Sequence, residues 1–98
     1  MSDALLLDGA LAILRERVRQ VFGEGHQPES DLRYTGSELA WAAWCYISRA
    51  LSDNPANPEV PQMWPPSFGP WKPGEPVRML VKAGALIAAE IDRKRRSQ

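Results

Sequence analysis

Apolar positions in the first part of the chain recur at alternating steps of four and three: Leu7, Leu11, Leu14, Val18 and Val21. That spacing predicts an amphipathic helix over residues 3–22 with the stripe turned to the core. Arg15, Glu16, Arg17 and Arg19 lie mostly off the stripe. Gly23 and Gly25 follow, where glycine takes left-handed C-cap geometry at little cost. Leu5, Leu6 and Leu7 add more apolar width than an internal stripe needs. This first helix is therefore the candidate surface for a homodimer.

A link over residues 26–34 carries Pro28 as a turn signal. Thr35 with Glu38 three residues on reads as a capping box opening a second helix, over 36–51. Leu39, Ala42, Ala43, Tyr46, Ile47 and Ala50 form its buried face, and the many small residues allow another helix close. Residues 53–73 hold seven of the nine prolines, a density no helix interior or central strand tolerates. The same stretch contains Trp64, Phe68 and Trp71, so it reads as an ordered loop pinned by its aromatic rings. A loop this long in a compact domain is unusual. A third helix spans 75–95, with Pro76 in its first turn. Its apolar face reads as Val77, Leu80, Val81, Gly84, Ile87, Ala88 and Ile91. Gly84 costs about 1 kcal/mol relative to alanine inside a helix, and close helix–helix contact is the expected compensation. The chain is thus read as one all-α domain over 1–98, three main helices with an ordered Pro/Trp-rich loop between the second and third.

Composition narrows the function classes. The 98 residues suit one small core, and twelve basic residues balance twelve acidic ones. No global charge steers the chain to nucleic acid or to a membrane. With one cysteine, Cys45, and one histidine, His26, neither an intrachain disulfide nor a Cys- or His-rich metal site is expected. No apolar run approaches the ~20 residues of a membrane span. The N-terminus lacks a basic export signal, so the expected setting is cytoplasmic.

Three motifs together carry a resemblance. They are Gly36-Ser37-Glu38-Leu39-Ala40 leading to Ala43-Trp44-Cys45-Tyr46; Trp64-Pro65 with Trp71-Lys72-Pro73; and a run from Arg78-Met79-Leu80-Val81-Lys82 through Ala83-Gly84-Ala85-Leu86-Ile87 to Ala88-Ala89-Glu90-Ile91. Over residues 24–93 the chain resembles a family of small proteins encoded by bacteriophages and prophages. The resemblance implies a bacterial host cell and supplies no reaction. Family members carry a tryptophan at the position of His26 and a histidine-containing run over 30–34. Here that run reads Ser30-Asp31-Leu32-Arg33-Tyr34, without the histidines.

Candidate chemistry is sparse. Arg78 and Lys82, four apart on one helix face, could combine with Arg33, Lys72, Trp64 and Trp71 in a pocket for a small anionic, nucleotide-like ligand. The plainer reading is two solvated charges and a set of rings that only pin the loop. Trp41 and Trp44 could present a stacking platform or pack beneath the proline-rich loop. The basic run at 93–96 could meet phosphates, though it lacks interleaved aromatics and ends a neutral protein. Cys45 reads as a buried, inert thiol. No nucleophile–base pair, phosphate loop or metal motif is present, so neither catalysis nor a cofactor is expected. The leading expectation is a non-enzymatic interaction protein of phage or prophage origin, acting on a host protein or as an accessory subunit. A small-ligand binder is the alternative, and a nucleic-acid binder the second alternative.

Overall fold

The computed structural model describes residues 6–23 and 37–96. Helix α1 spans Asp8–Gly23, α2 spans Glu38–Ala50 and α3 spans Pro76–Arg96, with a 3-10 turn at Pro66–Phe68. No strand occurs among the described residues. The architecture is all-α, with a tryptophan-bearing loop between α2 and α3. No helix among the described residues is long and apolar enough to cross a membrane.

The α2–α3 pair holds the core. Leu39, Met79 and Cys45 are its largest fully buried side chains, and Ala42, Ala43, Ala50, Ala83 and Ala89 fill much of the rest. Small side chains let the two backbones approach, which is how a short chain gains close packing from few large residues. Tyr46, Trp64 and Leu86 complete the cluster, with Phe68, Trp71 and Ile47 packed against it.

Two helix entries differ in their capping. The helix α2 begins one residue after Ser37, which makes no side-chain cap hydrogen bond; the expected partner in a capping box, Thr35, lies outside the described residues, as do Pro28 and His26. In α3, Pro76 takes the first helical position, and the Glu75 carboxylate accepts the Arg78 N–H at 2.8 Å. That is the satisfied N-terminus the proline implied.

The loop is ordered by side chains. Trp64 is buried, donates its indole N–H to the Gly69 carbonyl at 2.9 Å, and stands edge-on to Tyr46, Phe68 and Trp71. Gly69 sits at φ 107°, a left-handed conformation that favours glycine. Arg49, which the sequence did not single out, donates to the carbonyls of Asn57 and Glu59 and lies over the Trp71 ring. Trp71 in turn stacks on Tyr46 at 4.7 Å.

Apolar periodicity misassigned the inward faces of two helices. On α1 the stripe expected in the core points outward: Leu7, Leu11, Leu14 and Val18 are exposed and Val21 is half-buried, with Phe22 beside it exposed. On α3 the buried residues are Met79, Ala83, Ala85, Leu86, Ala89 and Glu90; of the expected face Val81, Gly84 and Ala88 are half-buried, whereas Val77, Leu80, Ile87 and Ile91 are exposed. The alanines, which the stripe undervalued, mark the true inner face. Trp41 and Trp44 are not covered by the loop. They meet edge to face at 6.0 Å with both rings about half exposed, on the side of α2 away from its buried residues. Trp41 borders the loop, in a groove with Met63 and Pro66.

Candidate functional site

Helix α1 packs on α3 with the face opposite its leucines. At about 100° per residue, Leu7, Leu11, Leu14 and Val18 fall within an arc of about 60°, and Gly9, Glu16 and Gln20 lie about 180° away. The inward side is chemically unusual, because its fully buried residues are Glu16 and Gln20. Burial alone would raise the Glu16 carboxyl. Hydrogen bonds from Arg19, Arg78 and Gln20, with the charge of Arg78, outweigh it and hold the group down at about 2.

The geometry explains that balance. Arg19 grips Glu16 with two bonds of 2.9 and 2.6 Å, Arg78 reaches its Oε1 at 2.6 Å, and Gln20 donates to its Oε2 at 3.1 Å. A buried carboxylate is tolerable only when paired and hydrogen-bonded in this way. Arg17 extends to Asp92 of α3 at 3.8 Å. An apolar contact accompanies these: Ile13 sits directly on Gly84, where an added Cβ would lie 2.5 Å from Ile13 Cδ1. This is the close helix approach expected at that glycine.

Beside this contact lies a cleft of about 340 Å³ whose lining includes Gln20, Tyr46, Trp64, Phe68, Lys72 and Lys82. Of the residues singled out from the sequence, Trp64, Lys72 and Lys82 meet here. Lys82 Nζ donates to the Lys72 carbonyl at 3.3 Å and lies 5.5 Å from the centre of the Tyr46 ring. Trp71 stacks on Tyr46 instead of lining the cleft. Arg78 lines a separate groove between α1 and α3, and the anion it holds is the protein's own Glu16. Arg33 lies outside the described residues. Gln20 Oε1 and the Trp71 indole nitrogen are buried without a hydrogen-bond partner among the described residues. Glu16 and Gln20 were missed because they sat off the apolar stripe. The Glu16–Arg19 and Glu16–Gln20 spacings of three and four were the signal for them.

The remaining chemistry-bearing groups are held by structure. Burial pushes the Cys45 thiol up, against the opposing charge of Arg49, which disfavours the reactive thiolate. In the basic run, Arg93 is bound to the buried Glu90 at 2.6 Å and Lys94 lies 4.0 Å from the same carboxylate. Among the described residues no group of three or more potential ligands is placed to hold a metal ion.

Comparison of the chain with protein-family models, curated proteins and solved structures finds no match. The functional reading therefore rests on what these residues can do.

Proposed function

We propose that this chain is a non-enzymatic interaction protein of bacteriophage or prophage origin. It acts in the cytoplasm of a bacterial cell and docks an apolar helix of a protein partner on α1. The observation that carries the reading is the inverted seating of α1. Leu14 is 58% exposed and Phe22 78%, while Glu16 on the opposite side is 2% exposed. Holding a helix by its polar side requires a buried carboxylate and its arginines. The arrangement makes physical sense when the leucine side has a partner of its own.

The test is a photo-crosslinking residue placed at Leu14, with a control at exposed Ser67 in the loop. Capture of a discrete protein from Leu14 and not from Ser67, lost in Val18→Glu, is expected. Equal capture from both positions, or none from Leu14, overturns the reading.

A second reading is favoured by the orphaned Gln20 Oε1 beside the aromatic cleft. A planar anionic ligand such as a nucleotide could stack on the aromatic wall, offer an N–H to that oxygen and set its charge near Lys72 and Lys82. Titrating tryptophan fluorescence with mononucleotides tests it. A saturable change lost in Lys72→Ala supports this reading, and a flat response rejects it.

A further inference from the structure

The geometry points to a second copy of this chain as the occupant of the α1 stripe, paired antiparallel. The inference rests on the reading of α1 as a docking helix and adds its partner, orientation and register.

The steps of four and three from Leu7 to Val21 are those of a coiled-coil seam. A helix carrying that seam is itself the complementary surface for another such helix. The seam lies about 180° from the side seated on α3, so a second helix can approach without disturbing the fold. Among the described residues, exposed charged residues flank it on one side, Asp8 and Arg15. On the other side stand Ala10 and Arg17, and Arg17 is directed to Asp92.

Charge then decides the orientation. In a parallel pair, each residue before a seam position faces the one that follows the next seam position on the partner helix. Arg15 then faces Ala10, Arg17 faces Phe22, and no acid meets a base. In an antiparallel pair, like flanks face each other. With Leu11 opposite the partner's Leu14, and Leu7 opposite the partner's Val18, Asp8 of each copy faces Arg15 of the other. The two-fold axis makes that attraction twice. Sliding the antiparallel pair by one heptad puts Leu14 opposite the partner's Val18. It also sets Arg15 against Arg15 and Arg17 against Arg17, so the charges reject that register. Four apolar layers form an interface at or below the lower end of stable ones, about 1,200 Å². The association is therefore reversible and concentration-dependent.

Sedimentation equilibrium from micromolar to millimolar protein tests this, with Asp8→Arg, Arg15→Asp and the double charge swap. Each single variant is expected to weaken association by about tenfold, and the double swap to restore it. All the changed residues are exposed, and circular dichroism checks that helicity is kept. As an independent measurement, mixed Leu11→Cys and Leu14→Cys proteins are expected to form the crossed disulfide dimer faster than either forms its own. A monomer throughout the range overturns the inference, and so does a dimer that ignores the charge swap or favours like-with-like disulfides. If the chain is monomeric yet the Leu14 crosslinker captures a different protein in a Val18-dependent way, the docking role of α1 stands and only self-pairing fails.

Discussion

The α2–α3 pair and α1 are attached to the same molecule by opposite chemistry. Between α2 and α3 the contact is apolar and dense, alanine against methionine and leucine, closed by the Tyr46–Trp64–Trp71 cluster. Between α1 and α3 the contact includes Ile13 seated on Gly84, flanked by the ion pairs of Glu16 with Arg78 and of Arg17 with Asp92. Hydrophobic burial is insensitive to pH and forgiving of direction, whereas a buried ion cluster depends on protonation and on every partner being present. The first arrangement holds a fold, and the second holds a helix in one orientation with Leu7, Leu11, Leu14 and Val18 exposed.

The largest effect should come from the apolar unit. Trp64→Ala removes a buried ring and its bond to Gly69, and is expected to cost about 4 kcal/mol. Chemical denaturation should show one transition moved to lower denaturant, because loop, α2 and α3 share this ring. A loss under 1 kcal/mol would mean that the loop is not part of the core.

The ion cluster comes next. The Glu16 carboxyl sits at about 2, below its ordinary 4.5, which corresponds to about 3 kcal/mol favouring the folded state. Because the folded value is the lower one, that contribution is complete above about pH 4.5. It falls away as pH drops toward 2. Glu16→Gln should cost a similar amount at neutral pH and flatten the acid response over that window. Hydrogen exchange should locate the loss in the amides of α1 before those of α2 and α3. If both units open together, the two attachments are one.

Much of this was legible before the structure. Prolines excluded a long helix or a central strand over 53–73, where the structure has only the short turn at Pro66–Phe68 among the described residues, and paired aromatics marked the loop as ordered. Helical periodicity located all three helices. The inward face of α2 was legible, since Leu39, Ala42, Ala43, Tyr46 and Ala50 are buried as read; that of α1 was not, because a stripe of leucines has the same spacing whether it faces a core or a partner. Alanine hardly registers in the pattern of α3, yet Ala83, Ala85 and Ala89 form its inner surface. The inward side of α1 was hidden for a related reason. Glu16 and Gln20 are surface residues by type, and only the arginine brought by α3 makes their burial intelligible. The same gap obscured the candidate site, since Arg78 looked available until Glu16 was seen to occupy it.

Gly84 is the smallest lever and the most specific to the boundary between the two units. Two terms of opposite sign compete in Gly84→Ala. Helix propensity favours alanine by about 1 kcal/mol, while the new Cβ would lie 2.5 and 2.8 Å from Ile13 Cδ1 and Cγ1. Forcing such a group into a filled contact costs about 1–3 kcal/mol, and a β-branched side chain has few rotamers to escape into. The net expectation is a loss of about 1 kcal/mol. Placing the same substitution on an Ile13→Ala background separates the terms. With the isoleucine gone the clash has no partner and only propensity remains, so Gly84→Ala should become stabilising by about 1 kcal/mol. That change of sign, read by thermal or chemical denaturation of the four variants, would show that α1 seats at this one point. If Gly84→Ala is equally harmful on both backgrounds, something other than Ile13 fills the space above the glycine. The contrast between a broad apolar attachment and a narrow one would then be lost.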